Sequence, residues 1–199
     1  MADYIEGKRP VIEALRTYVP ISEVIIADNL VRDGLVEDIL RKAKKANVPV
    51  KTLPRKELDK QSERGSHQGV MAKTKPFAYV NVQAILDTAE QHAQAHEGAA
   101  LVILLDHITD VGNLGAIARS AEVVGASGIV IPNKRSAHVN ASTYKSSAGA
   151  IAHINVSQVA NIAQTIERLK KEGYWIAGAS ERATEVIWDA NLKGKMALV

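Results

Sequence analysis

The chain is predicted to be an α/β protein in two parts: a small α/β unit, then a parallel sheet. Three observations predict this. Short apolar runs alternate with helix-period segments along all 199 residues, the signature of strand and helix in succession. From Ala99 the runs ALVILL and GIVIP are continuous rather than alternating, as in strands covered on both faces of a parallel sheet. Charge divides the chain as well. Residues 1–75 carry 15 Lys and Arg against 11 Asp and Glu, and residues 76–199 carry 10 against 11.

The elements follow in order. RPVIEALRTY sets Val11, Ile12 and Leu15 at helical spacing, and SEVIIA is a short apolar strand. GLVEDILRKAKKAN repeats apolar residues at Leu35, Val36, Ile39, Leu40 and Ala43. Its basic residues gather at the end, where cations suit the negative pole of a helix. VPVKTL is a second strand, PRKELDKQ a short helix opened by Pro54, and HQGVMAKT a third strand. These form a first domain over residues 1–75. Residues 76–98 are a connector and a helix that Gly98 ends, as glycine commonly does. Residues 99–199 are a second domain. Strand ALVILL, a loop, a helix over 114–124, strand GIVIP, a polar loop through 133–150, strand AHINV, a helix over 158–172 and strand YWIAGA make it up. Trp175, in an apolar strand, is expected in the core.

Bulk composition narrows the class. An apolar share of 46% is that of a globular chain, and no apolar run is long enough to span a membrane. The start, MADYIEGKRPVIEAL, has no apolar signal core, and there are no cysteines. Disulfides and cysteine zinc sites are excluded, and a cytoplasmic location is expected. The basic surplus lies in residues 41–75, with 11 basic against 3 acidic residues. Such a half is either a polyanion-docking module or a solvated lysine-rich helix, and charge alone does not separate the two.

The segment LVILLDHITDVGNLGAIARSAEVVGASGIVIP, residues 101–132, carries the chemistry. Its glycines at 112, 115 and 125 do not make the G-x-G-x-x-G of a dinucleotide turn. Ligands of parallel sheets bind at the carboxyl ends of the strands, where Asp106 to Asn113 are expected. Leu114, Ile117, Ala118, Ala121 and Val124 would pack on the sheet. Arg119 would lean back over Gly115 and bring its guanidinium near Asn113 and the free N–H groups of the helix start. That arrangement could hold a phosphate or a forming oxyanion. The alternative is close helix packing at Gly115 and a surface Arg119–Glu122 ion pair.

The stretch DHITDVGNLGAIARSAEVVGASGIVIP resembles the first motif of the SpoU (TrmH) family of RNA ribose 2′-O-methyltransferases. That motif is an acid, Asn-x-Gly, and an arginine four residues after the glycine: here Asp106, Asn113, Gly115 and Arg119. The likeness continues through RSAHVNASTYKSSAGA and reaches back to EGKRPVIEAL and GSHQGVMA, which resemble the family's L30e-like RNA-binding domain. The resemblance implies an L30e-like domain followed by a SPOUT-type, trefoil-knot domain. It implies methyl transfer from S-adenosylmethionine, without a metal, to the 2′-hydroxyl of a guanosine ribose in 23S ribosomal RNA. It also implies a homodimer.

On this reading Asn113 and Arg119 are the catalytic residues. A guanidinium does not readily give up its proton, so Arg119 would hold a phosphate or the forming alkoxide rather than act as base. RNA would meet Lys8, Arg9, Arg64, Ser66, His67, Gln68, Arg135 and Lys145, and the cofactor would meet Ala179 and Ser180. A single phenylalanine argues against a base-stacking platform. The family's two remaining motifs would fall after Val199. The 199 residues are therefore expected to be truncated before the knot, inactive alone and weak in cofactor binding; a short noncatalytic RNA-binding protein, or methylation of tRNA, are the alternatives. His92 and His96 lie four apart on a helix without further ligands, so no metal site is expected. His107 could touch RNA, and Lys145, Ser146 and Ser147 could contact RNA or a second subunit.

Overall fold

The computed structural model describes residues 4–62 and 65–199. They fall into two compact units, 4–77 with 139–149, and 78–138 with 150–199.

The first unit has a four-stranded mixed sheet in the order β1-β4-β2-β3. β1 is Tyr4–Glu6, β2 Ile21–Ala27, β3 Val50–Leu53 and β4 Val70–Thr74. β4 runs antiparallel to β1 and β2, and β3 is parallel to β2. β1 was not foreseen, because three residues are too few to show a period. The helices are α1 (Lys8–Arg16), α2 (Gly34–Lys45) and α3 (Arg55–Gln61). The first two bury Val11, Ala14, Val36, Ile39 and Ala43, and α3 seats Leu58 in a cluster with Ile25, Ala27 and Met71. Asp33 caps α2 by accepting from the Val36 amide at 3.0 Å. It also pairs with Lys8 at 2.7 Å. The Lys8 hydrogen bond, ahead of the Val36 amide, holds its carboxyl below the usual range.

The polar loop expected over 133–150 contains a helix, Ala141–Ser146, which belongs with the first unit. Asn140 accepts from the Ser142 and Thr143 amides, and the Thr143 hydroxyl accepts from the Asn140 amide. This reciprocal cap is the kind that an Asn-Ala-Ser-Thr sequence can form.

The second unit is a five-stranded, wholly parallel sheet of β5 (Ala100–Leu104), β6 (Gly128–Pro132), β7 (Val156–Val159), β8 (Trp175–Ala177) and β9 (Lys195–Leu198), ordered β7-β6-β5-β9-β8. The last strand in sequence is therefore interior. The helices here are α4 (Val82–Ala95), α5 (Val111–Val123) and α7 (Ile162–Lys171), with Ala141–Ser146 counted as α6. One face of the sheet is covered by α4 and α7, whose Ile85, Leu86, Ala89, Ile162 and Leu169 meet Val102, Leu104, Val130 and Ala197. The other face is covered only in part, by α5.

Three expectations need correction. The strand read as AHINV is a 3-10 turn at Ala150–Ala152 followed by β7 four residues later than expected. Val159 lies in that strand, and α7 starts only after Asn161, whose side chain accepts from the Gln164 amide at 3.0 Å. Trp175 is 73% exposed rather than core. β8 is an edge strand, and its preceding residue Tyr174 takes the buried position instead.

Burial, reinforced by the carboxylates of Glu90 and Glu172, pushes the Tyr174 phenol up to about 12. A raised phenol contributes stability that is complete below the unfolded value near 10 and is lost as pH climbs through the folded one. Absorbance titration near 295 nm is expected to show a tyrosine step near pH 12, and Tyr174→Phe should delete that step.

Candidate active site

The loop between β5 and α5 stands at the carboxyl edge of the parallel sheet. α5 begins at Val111, three residues earlier than expected. The Asp110 carboxylate accepts from the Asn113 amide at 2.7 Å and caps the helix. Asn113 therefore lies in the first turn, not in the loop. A Cβ on Gly112 would come within 3.0 Å of the Asp110 carboxylate oxygen, so Gly112 leaves room for that carboxylate to fold over the turn. The helix start was expected to receive a phosphate or oxyanion. The Asp110 carboxylate accepts from one of its amides and sets a negative charge beside any anion that would bind there.

Leu114, Gly115, Ala118 and Ala121 are the buried stripe of α5. Ile117 is only half-buried and Val124 is 65% exposed, so neither packs on the sheet as expected. Asn113 and Arg119 are both exposed. Six residues on an α-helix separate two side chains by about 9 Å along the axis and about 120° around it. Among the described residues no hydrogen bond joins them, and Arg119 forms no ion pair with Glu122. The expected meeting of guanidinium and amide is absent, and so is the expected surface pair.

Beside α5, the uncovered face of the sheet floors an apolar groove of about 1380 Å3. Leu101, Ile103, Leu105, Met196 and Leu198 form its floor, with Ile117 and Val124 on the α5 side and Ile187 and Leu192 opposite. Its lining also includes Asp106, Ile108 and the turn Ala177–Gly178–Ala179. Ala179 lines the groove, but its amide donates to the Val199 carbonyl at 2.8 Å, and the Ala177 carbonyl accepts from Val199 at 2.8 Å. The backbone between them, at Gly178, has no partner among the described residues. Gly178 was not singled out in the sequence, because the pairing of Ala177 and Ala179 with Val199 is not legible there. Ser180 is exposed and lies off the groove, its hydroxyl accepting from the Arg182 amide.

The loop after β6 abuts the loop after β5. The Ile108 carbonyl accepts from the Ala137 amide at 2.7 Å and from the Ser136 hydroxyl at 3.2 Å. This rim displays Lys134, Arg135 and His138, all exposed. His138 Nδ1 meets the Gln158 side-chain amide at 2.6 Å. Across from them the Asp106 carboxylate meets His107 Nδ1, also at 2.6 Å. His92 and His96 line the far end of the groove, and His92 Nδ1 meets the Ser127 hydroxyl at 3.0 Å. Among the described residues no three metal-ligating side chains come together.

In the first unit, Arg9, Ser66 and Gln68 are exposed, whereas Lys8 is mostly covered and tied to Asp33. Arg64 lies outside the described residues. His67 corrects the expectation of an RNA contact: it is 3% exposed. Its Nδ1 accepts from the Gly69 amide at 3.0 Å, and its Nε2 donates to Asp59 at 2.8 Å. Both ring nitrogens brace the turn, leaving none for RNA. Lys145 is exposed on α6, while the Ser146 and Ser147 hydroxyls donate to backbone carbonyls of the same helix.

Residues 100–199 match the SpoU rRNA Methylase family, and residues 4–80 match the RNA 2′-O ribose methyltransferase substrate-binding family. The chain belongs to the SpoU family. Its relatives include a Bacillus subtilis protein, YacO, named as a TrmH-family tRNA/rRNA methyltransferase. It is 36% identical over 196 residues, 98% of this chain and 76% of that one. A Staphylococcus aureus protein named for the same family is 35% identical over 195 residues, covering 98% and 75%. Among solved structures, the SpoU methyltransferase AviRb of Streptomyces viridochromogenes, in complex with AdoMet, superposes with a TM-score of 0.64 at 18% identity. The match covers 99% of this chain and 72% of AviRb. An AdoMet-bound rRNA methyltransferase of Sinorhizobium meliloti gives 0.62 at 20% identity, covering 99% and 69%. These likenesses carry the fold: a SpoU-type α/β unit with a parallel sheet.

Proposed function

We propose that this SpoU protein transfers a methyl group from S-adenosylmethionine to the 2′-hydroxyl of a guanosine ribose in 23S ribosomal RNA, in the manner of the enzyme RlmB, as a cytoplasmic homodimer. The observation that carries this is the pairing of a substrate-binding match over residues 4–80 with a methylase match over 100–199 in one chain. We assign residues 1–75 to RNA docking, 76–98 to the connection and 99–199 to methyl transfer.

The groove suits the cofactor in chemistry, with an apolar floor for a purine and unpaired backbone at Gly178 to read its edge. Its volume of about 1380 Å3 exceeds the roughly 300–1,000 Å3 of a typical ligand pocket, enough for the whole cofactor. Ala177 to Ala179 and Leu198 would hold the nucleoside. When bound, the cofactor supplies a methyl group on a sulfonium that leaves as a neutral thioether. The chain's own task is to align the ribose and manage the hydroxyl proton. Asn113 would orient the ribose, and Arg119 would hold a flanking phosphate. Arg9, Ser66, Gln68, Arg135 and Lys145 would contact RNA, with Arg64 in the same role.

The test is mapping of ribose methylation in total RNA from cells with and without the gene. Loss of one 2′-O-methylguanosine from 23S RNA supports the proposal. Loss from tRNA supports the second reading, favoured by the naming of the relatives for both RNAs. An unchanged methylation map overturns both.

A further inference from the structure

Resting on the assignment of the first unit to RNA docking, we propose that Gln68 reads an unpaired RNA base with its side-chain amide, held in place by the buried His67 and its partner Asp59. The placement follows from the sheet. β3 runs parallel to β2, and β4 runs antiparallel to β1 and β2. The carboxyl ends of β1, β2 and β3 therefore share one end of the sheet with the start of β4. Arg9 follows β1, Arg32 follows β2, Arg55 and Lys56 follow β3, and Gln68 precedes β4. All five are exposed, and among the described residues none of the four cations forms an ion pair. In the order β1-β4-β2-β3 the turn that leads into β4 lies between the segments that leave β1 and β2. A neutral amide thus stands amid cations. Cations bind phosphates and carry no sequence information, whereas a carboxamide sets a donor beside an acceptor, the pattern on the edge of an unstacked base.

The backbone displays that amide. The Val70 amide donates to the His67 carbonyl at 2.8 Å, and φ is 50° at Gln68 and 79° at Gly69. Left-handed backbone at both central residues is the mark of a type I′ turn. Asparagine or aspartate is usual at the first of these positions, where a short side chain bonds its own backbone. Glutamine reaches further, and Gln68 has no side-chain partner among the described residues. The second position requires glycine, because a Cβ on Gly69 would stand 2.8 Å from Leu30 Cδ1. The Gly69 carbonyl accepts from the Ala27 amide at 2.9 Å, which pins the turn to β2.

His67 fixes the turn from within. Its Nδ1 accepts from the Gly69 amide and its Nε2 donates to Asp59 on α3. The first bond requires a bare Nδ1, so the proton of the neutral ring sits on Nε2, and Asp59 selects that tautomer. The ring is buried while the Asp59 carboxylate is exposed. Both are positioning residues, which act on RNA through Gln68.

Fluorescence anisotropy with the full chain tests this on two RNA hairpins that share one stem. One has a loop of adenosines, the other a loop of abasic sites. The wild type should bind the adenosine loop about tenfold more tightly, the scale of one good amide–base contact. Gln68→Ala should bind both as the wild type binds the abasic loop. Replacing Arg32, Arg55 and Lys56 together by Ala should weaken both equally and flatten the salt dependence. Asp59→Ala judges the positioning role. Loss of a negative charge alone would tighten binding to both hairpins and keep their ratio; the proposal requires the ratio to fall towards one. Asp59→Asn, whose side-chain carbonyl still accepts from Nε2, should restore it. Hydrogen exchange at the Gly69 amide should quicken in Asp59→Ala and not in Asp59→Asn. An Asp59→Ala protein with the wild-type ratio overturns the part given to His67 and Asp59. A wild type that binds the two hairpins alike overturns base reading and leaves RNA docking by the first unit intact; one that binds neither overturns docking as well. Methyl transfer is judged separately, by the methylation map.

Discussion

Arg119→Ala is expected to erase the ribose methylation in cells that carry it as their sole copy, by roughly a hundredfold or more, with the melting temperature unchanged. The side chain is exposed and, among the described residues, makes no hydrogen bond or ion pair. Its removal should cost the fold no more than about 0.5 kcal/mol, the usual range for a surface position. What it would lose is a rigid cation beside the RNA. Arg119→Lys separates charge from shape: a lysine keeps the charge but not the planar fork that grips two phosphate oxygens. Partial recovery with lysine would mean that charge dominates; none would mean that the fork does. Methylation near wild type in Arg119→Ala would remove this residue from the site.

Gly128→Ala should be the most damaging single methyl in the second unit. A Cβ there would stand 2.7, 2.8 and 2.9 Å from three side-chain carbons of Ile85. Ile85 is fully buried on α4 and belongs to the main core cluster. Being β-branched, it has little rotamer freedom with which to yield. Overpacking of this kind costs about 1–3 kcal/mol, which lowers the melting temperature by several degrees in a unit of this size. Ile85→Val added to Gly128→Ala should return part of the loss, because it removes one of the clashing carbons. If the single variant melts with the wild type, α4 does not sit as closely on β6 as described.

The parallel sheet was legible because ALVILL and GIVIP are long, continuous and bounded by turns. The two ends of the 133–160 region were not. A six-residue helix and a 3-10 turn are too short for a period of 3.6 to declare itself, and Ile154, buried at 7% exposure, mimics a strand residue while preceding one. Trp175 misled for a different reason. Apolar residues inform about burial only when the strand's place in the sheet is known, and β8 is an edge. The candidate site was only partly legible. Asp106, Asn113 and Arg119 stand out by their spacing, but the cap by Asp110 was not singled out, although an Asp just before a helix is a preferred N-cap. What Asp110 changes is electrostatic: it sets a carboxylate at the helix start where an anion was expected.

The position of β9 bears on synthesis. Lys195–Leu198 pair with Ala100–Ile103 on one side and Trp175–Ala177 on the other. Until those four residues leave the ribosomal tunnel, β8 has no neighbour and β5 has one bare edge. Nearly a hundred residues separate β5 from the strand that covers this edge, a long-range closure that slows folding. The second sheet thus closes only once Leu198 has emerged, while the first unit has all four of its strands once Thr74 is out.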